Sequence, residues 1–588
     1  MTWIFNQPSD FKNEMVAGFV SAHKSMVRQV PGGVVRNTQS KPGSVAVVIG
    51  GGSGHYPAFA GLVGQGLAHG AAMGNLFASP SAQQICSVAR AAHNGGGVLL
   101  TFGNYAGDVL HFGLACERLR AEGIPCETLA ITDDVSSAPL AEKEKRRGVA
   151  GDLVVFKIAA AAAERGDSLA EVLAIARRAN EHTRTLGLAF GGCTLPGAQD
   201  PLFTVPEGKI GFGLGIHGEP GIHELPLTTS EALARLLTDG LLQERPQATG
   251  ASKGARLGVI INGLGAVKYE ELFVFWHNVE ALLSAADVVV ADVQIGEFVT
   301  SFNMAGMSMT FVWFDDELES LWLAPAVTPA FTRGSVLAQL PLDAVQLEQN
   351  SVVPVPQGSP ASQQAAARVM KMIDAIAQTV INNADELGRI DAIAGDGDHG
   401  IGMTRGVTAA RQAAQAALAQ GGGVGTLLQM AADGWSDEGG GTSGAIWGVI
   451  LNTLGTALGN SATPDAVAVA AAIEQANDGV MHFGKARPGD KTLVDVLLPF
   501  SQALRAAADA GLSLSAAWQQ AARVARQSAD STAQLLPKIG RARPLAERSL
   551  GTPDAGALSL AMIITAVAEV MAGGDVAAGT QEKICPQK

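Results

Sequence analysis

Three carboxylates crowd into eight residues of DAIAGDGDHGIGMTRG (391–406): Asp391, Asp396 and Asp398. Such a cluster repels itself unless a cation neutralises it, and hard oxygen donors at this density suit Mg²⁺ or Ca²⁺. An EF-hand is excluded, because the fifth position counted from Asp396 is Gly400 and no glutamate closes the loop. A solvated acidic turn is the competing reading. The glycines and the helix-like sequence that follows favour a metal site. GGGTSGAIWG (439–448) is a second glycine loop opening a helix, where Thr442 and Ser443 can donate to phosphate oxygens. No GxxxxGK[ST] sequence occurs in the chain. If this domain binds ATP, it does so without a Walker A loop, and a carboxylate–Mg²⁺ clamp on the phosphates would replace the lysine.

The first half carries a different chemistry. GFGLGIHGEPG (211–221) sets His217 among five glycines. It is either an inert turn histidine or a nucleophile or base that a substrate approaches closely, the glycines clearing space. TFGNYAGD (101–108) ends on Asp108, either a helix N-cap or, with His55, half of an acid/base pair. GGGSGHYP (50–57) is a glycine loop running from a strand into a helix-like segment. Its backbone N–H groups can cradle an anion or a hydroxyl ligand, or simply make a tight turn.

These residues need strand ends and helix starts to hold them. SVAVVIG (44–50), GVLLTFG (97–103), ETLAITDD (127–134), RLGVIING (256–263) and DVVVADVQ (287–294) are short apolar runs, most ending in Gly, Asn or Asp. Helical patterns such as SAQQICSVARAAHN and SLAEVLAIARRANEHTR lie between them. The reading is an α/β domain over 1–350 with mainly parallel strands, its candidate residues at strand carboxyl ends. Pro, Ser, Gly and Gln in SVVPVPQGSPASQQ mark a linker over 351–364, which reaches at most ~50 Å. From 365 to 588 the chain is alanine-rich with helical periodicity, which predicts an all-α domain of six to eight helices.

Composition bounds the partners. The net charge of −14 speaks against nucleic acid as the main partner and against an anionic membrane surface. Five scattered cysteines without CxxC pairing fit a reduced cytoplasm. The start, MTWIFNQPSDFKNEM, has no signal-peptide pattern, and no uninterrupted apolar run is expected to span a bilayer.

The ordered set GGGSGH, NYxGD and GIHGEPG, then DxxxxDGDHG, GGTSG, GDKT and GRA…ERS, resembles the dihydroxyacetone kinases that use ATP directly. The resemblance implies an α/β ketose-binding domain fused to an all-α nucleotide-binding domain, the latter an antiparallel barrel of eight helices. It implies that His217 adds to the substrate ketone as a covalent hemiaminal and that Asp108 is the general base. His55 is then the hydrogen-bonding partner near the carbonyl oxygen, and Gly52, Ser53 and Gly54 line the substrate loop. Asp391, Asp396 and Asp398 would ligate two Mg²⁺ ions on the ATP phosphates. His399, Gly400, Ile401 and Gly402, with Thr442 and Ser443, would form phosphate loops. Gly484, Leu493, Arg541, Asp554, Ala555 and Gly556 align with nucleotide contacts. A homodimer is expected from the family and from base rates.

Two positions at the ketose pocket depart from the pattern. Tyr56 stands where the family usually has glutamate, and Gly103 stands where enteric members carry a substrate-contacting lysine. Ala555 replaces a proline at the nucleotide. The pocket changes point from dihydroxyacetone towards a four-carbon ketose such as erythrulose. The alternatives are a lyase that cyclises FAD and a non-catalytic ketose sensor.

Overall fold

The computed structural model describes residues 2–579 except 214, 218, 220, 247–253, 338, 343–354, 396 and 540–546. Asp396 and Arg541 therefore lie outside the described residues. The chain divides into two compact units, Met1–Val352 and Val353–Lys588.

The first unit is built on two six-stranded sheets. One contains β1 (Val27–Val30), β2 (Gly33–Arg36), β3 (Ala46–Ser53), β4 (Gly70–Leu76), β5 (Val98–Gly103) and β6 (Cys126–Ile131), in the order β1-β2-β4-β3-β5-β6. The other contains β7 (Thr183–Ala189), β8 (Lys209–Phe212), β9 (His223–Pro226), β10 (Arg256–Gly263), β11 (Val289–Gly296) and β12 (Gly306–Trp313), in the order β11-β10-β12-β7-β8-β9. The expectation of mainly parallel strands holds for β4-β3-β5-β6. It fails for the second sheet, where only β10 and β11 pair in parallel. Local apolar runs do not encode pairing direction, and four of the five pairings in this sheet are antiparallel.

Helix Asp152–Arg165 is the centre of the larger core, buried from Asp152 to Ala163. Its run of five alanines lets neighbouring elements approach closely, and its small side chains lose little entropy on burial. The helices singled out by sequence are set by capping boxes, Ser81 with Gln84 and Ser168 with Glu171.

Among its described residues the second unit has nine α-helices and no strand. They span Pro360–Asn382, Ala384–Asp391, His399–Ala419, Val424–Gly439, Gly441–Leu458, Ala466–Gly484, Val494–Asp509, Leu514–Ser531 and Ala555–Gly579. Leaving out the eight-residue Ala384–Asp391, each helix packs on the next and the last packs on the first. The short helix lies against His399–Ala419 and Ala555–Gly579. The first helix starts at Pro360, inside the stretch read as linker, because Ser359 caps it and Pro360 is pre-organised for the first turn. The expectation that no segment could span a bilayer also needs correction. Ala555–Gly573 is long and apolar enough by composition, with mean hydropathy 1.9, and 56% of that window is buried inside the protein.

One buried side chain links the second sheet to the segment that follows β11. Asn262 is fully buried at the end of β10. Its Oδ1 accepts from the Phe298 and Val299 amides, and its Nδ2 donates to the Val299 carbonyl and the Ser308 hydroxyl. Asn262→Ala leaves those amides buried without an acceptor, at a cost of about 3 kcal/mol. Calorimetry of the whole chain is expected to show an earlier unfolding transition, and hydrogen exchange faster turnover at Phe298 and Val299. An unchanged transition refutes the anchoring role.

Candidate active site

The ends of β3 and β5 and the loop between β8 and β9 converge, as expected for ligands bound at strand carboxyl ends. β3 runs into the loop that carries His55. A Cβ on Gly52 would stand 2.7 Å from the Ala78 amide nitrogen. Gly54, at φ +106, would put one 2.8 Å from the Phe77 and Phe302 rings. Only glycine fits either place. Ser53, by contrast, is already engaged: its hydroxyl donates to the Gly74 carbonyl at 2.7 Å.

His55 and His217 meet edge to face, with their Nε2 atoms 2.9 Å apart. The other nitrogen of each ring is held by an acceptor. His55 Nδ1 faces the Thr300 carbonyl at 2.7 Å, and His217 Nδ1 faces a Glu219 carboxylate oxygen at 2.9 Å. Each Nδ1 must therefore carry hydrogen and donate it. A hydrogen bond between the two Nε2 atoms then requires one further proton, shared by the pair. His55 is pulled down to about 3, first by burial and then by His217, so it binds that proton weakly.

Glu219 was not singled out from sequence, although it stands two residues from His217. Its second oxygen accepts from the His217 amide at 2.9 Å. A Cβ on Gly215 would stand 2.2 Å from that oxygen, so this glycine makes room for the carboxylate and not only for a substrate. Burial pushes Glu219 up, but His217, its hydrogen bond and Arg147 outweigh this and hold the carboxyl well below the usual range. Arg147 is itself fixed by Asp134, whose carboxylate accepts from its Nε at 2.9 Å. Thr300, Arg147 and Asp134 carry no local motif, which is why sequence reasoning missed them.

Asp108 lies in the first turn of helix Ala106–Ala121, with its Oδ1 buried and unpartnered. Burial raises it to about 7, against the Ser79 hydrogen bond and the His217 charge. Phe77 stacks on His55 at 4.9 Å, and Tyr105 meets His217 edge-on at 4.7 Å. Gly103 ends β5 directly before Asn104 and Tyr105. The Tyr56 ring is not drawn into this cluster: it is 44% exposed and packs on Phe19.

The second unit gathers a separate set. Asp391 ends its short helix, its Oδ2 accepting from the Gly397 amide at 2.9 Å. Burial, then the Asp391 charge, pushes Asp398 up. Two neighbouring hard-oxygen side chains of like charge fit a divalent cation. Among the described residues no three His, Cys, Asp or Glu side chains converge as a metal group. His399 pairs with the Ser559 hydroxyl at 3.0 Å. Gly400 packs where a Cβ would stand 1.9 Å from the Ala384 carbonyl oxygen, and Gly402 lies close to Gly439. Ile401 is exposed. Ser443 donates to Met403 Sδ at 3.7 Å, which brings the 399–402 and 442–443 segments together. Thr442 beside it is exposed.

Asp554 is raised to about 6, chiefly by burial, with Asp495 and Asp391 adding to it and Lys491 opposing. Ala555 opens the last helix after it. A Cβ on Gly556 would stand 3.2 Å from Asp554 Oδ1 and 3.9 Å from Leu493 Cβ, so these positions form one patch. Gly484 closes its helix, with open space where a Cβ would stand.

The whole chain has close relatives. Residues 17–330 match the Dak1 domain and residues 393–569 the DAK2 domain. An L-erythrulose kinase of Pectobacterium atrosepticum is 64% identical over 97% of both chains. A D-erythrulose kinase of Mycolicibacterium smegmatis is 52% identical, covering 97% of this chain and 98% of its own. The solved dihydroxyacetone kinase of C. freundii in complex with AMP-PNP and Mg²⁺ is 28% identical, with TM-score 0.51, over 97% of this chain and 99% of that one. With both domains matched in order, an α/β unit followed by a helical one, the chain belongs to the dihydroxyacetone kinase family.

Proposed function

We propose that the chain phosphorylates L-erythrulose with ATP, holding the ketose covalently on His217. The observation that carries this reading is the 2.9 Å contact between two imidazoles whose other nitrogens both donate elsewhere. The preference for a four-carbon ketose rests on the similarity to the erythrulose kinases.

The shared proton gives a balanced first step. His217 Nε2 yields it to His55, then adds its lone pair to the ketone carbon. The carbonyl π pair moves to oxygen. His55, which binds a proton weakly, passes it to that oxygen, and the hemiaminal carries an imidazolium whose charge the Glu219 carboxylate balances. Glu219 stabilises the imidazole throughout, and Phe77 and Tyr105 keep water from the ring. Anchoring converts the bimolecular encounter into a positioned attack.

Asp108 then takes the proton of the attacking hydroxyl as its oxygen bonds to the γ-phosphorus of ATP, and ADP leaves. In the second unit Asp391 and Asp398, with Asp396, would hold Mg²⁺, two ions by the family pattern. The metal would neutralise charge on the phosphates. His399–Gly402, Thr442 and Ser443 would bind the phosphates, and Leu493, Asp554 and Gly556 would bind the rest of the nucleotide. A homodimer is the proposed assembly.

The test is ADP release, coupled to NADH oxidation, on L-erythrulose, D-erythrulose and dihydroxyacetone. L-Erythrulose is expected to have the highest kcat/KM, and absence of turnover on all three sinks the reading. His217→Ala is expected to raise the KM for ketose far more than that for ATP, and Glu219→Gln to lower ketose kcat/KM by about 10²-fold. An unchanged ketose KM in His217→Ala refutes the anchor.

Asp108 also sets a pH dependence. As a base it must be ionised, so kcat/KM is expected to fall tenfold per unit below about pH 7. Its folded-state pKa is raised, so the folded chain binds the extra proton and loses stability as pH rises from 3.8 towards about 7. Asp108→Asn is expected to abolish turnover. It is also expected to raise the unfolding temperature relative to the parent near pH 8 but not near pH 4. Equal shifts at both pH values contradict the buried-carboxylate account.

A further inference from the structure

Beside the histidine pair lies a second group of polar atoms that neither the hemiaminal step nor the phosphoryl transfer uses. Asp152 opens the central helix Asp152–Arg165 and is 2% exposed. Its Oδ1 has no hydrogen-bond partner, and neither has the buried Tyr105 hydroxyl. Leaving such atoms unpaired in a folded interior costs free energy, so their persistence asks for a ligand.

Two glycines pack against this buried carboxyl. A Cβ on Gly103 would stand 3.4 Å from Asp152 Oδ2 and 3.2 Å from the Tyr105 ring. One on Gly148 would stand 2.8 Å from Asp152 Oδ1. Any larger residue at either place would crowd or cover the acid. The group also adjoins the reacting residues. The Tyr105 ring that flanks Gly103 meets His217 at 4.7 Å, and Asp152 and Asp108 lie close enough for their charges to interact.

We propose that the Asp152 carboxyl and the Tyr105 hydroxyl bind the hydroxyl at the far end of a four-carbon ketose anchored on His217, and thereby set its preference over a three-carbon one. The inference rests on the ketose kinase reading above. Burial, then the Asp133 and Asp108 charges, pushes Asp152 well above the usual carboxyl range. A protonated carboxyl both donates and accepts, as the phenol does, and a hydroxyl of the ligand complements both. A shorter ketose leaves the two groups unpaired. A site built to bond a hydroxyl discriminates strongly against the analogue that lacks it.

The experiment compares kcat/KM for L-erythrulose and dihydroxyacetone in the parent, Asp152→Ala, Asp152→Asn and Tyr105→Phe chains, each checked for a cooperative unfolding transition. The erythrulose-to-dihydroxyacetone ratio is expected to fall by about tenfold or more in Asp152→Ala, mainly through the KM for erythrulose, because the bonded hydroxyl is remote from the reacting one. Asp152→Asn, which also donates and accepts, is expected to keep at least half of the parent ratio. A ratio in Asp152→Ala within fivefold of the parent's overturns the proposal, as does a loss in Asp152→Asn equal to that in Asp152→Ala. If Asp152→Ala does not fold, Tyr105→Phe decides: a ratio lowered at least threefold supports the proposal and anything less overturns it. Failure of the parent to turn over any ketose strikes the kinase reading, whereas turnover with an insensitive ratio strikes this inference alone.

Discussion

Two imidazole nitrogens 2.9 Å apart, each on a ring whose other nitrogen must donate, can be neighbours only if one proton lies between them. Much of the first unit serves that constraint. The Thr300 carbonyl fixes His55, and the segment leading to it is held by three hydrogen bonds with Asn262. Glu219 fixes His217 and is held in turn by the missing side chain of Gly215 and by the Arg147–Asp134 pair. The second sheet thus supplies both supports, through the strand end at Asn262 and through the loop that joins β8 and β9. The first sheet supplies the ring that gives up its proton readily.

In the second unit the constraint is an excess of like charge. Asp391, Asp398, Asp495 and Asp554 act on one another, and Lys491 offsets only part of this. Lys491 itself is buried and donates to the Ser549 carbonyl and hydroxyl, so its freedom to move towards the acids is limited. Like charge gathered at helix ends is what a divalent cation would offset.

Sequence made legible the features carried by short stretches. The strands read from apolar runs, β3, β5, β6, β10 and β11, are all members of parallel pairs. β7, β8, β9 and β12 alternate or are short, and the direction of their pairing is a tertiary property. The candidate residues showed themselves for a similar reason: His55 and His217 sit in glycine loops, and Asp108 sits in the helix turn that follows Gly103. Their partners sit elsewhere. Thr300 contributes only a backbone carbonyl, which no residue type announces. Arg147 and Asp134 reach Glu219 only after the chain folds. The Ser53 hydroxyl also closes its loop onto the Gly74 carbonyl, a role no local motif announces.

The glycines themselves took on a different meaning. Around His217 they were read as clearance for a small ketone. Gly215 instead admits Glu219, Gly52 and Gly54 admit the backbone and rings beside His55, and Gly103 and Gly148 admit the Asp152 carboxyl. In each case a missing side chain lets a polar group or an aromatic wall come nearer than van der Waals contact with a Cβ would permit. Glycine here trades local rigidity for the close approach of charge, and the rigidity is restored by buried hydrogen bonds from distant elements. That division of labour explains why the motif residues can be named from sequence while the groups that tune them cannot.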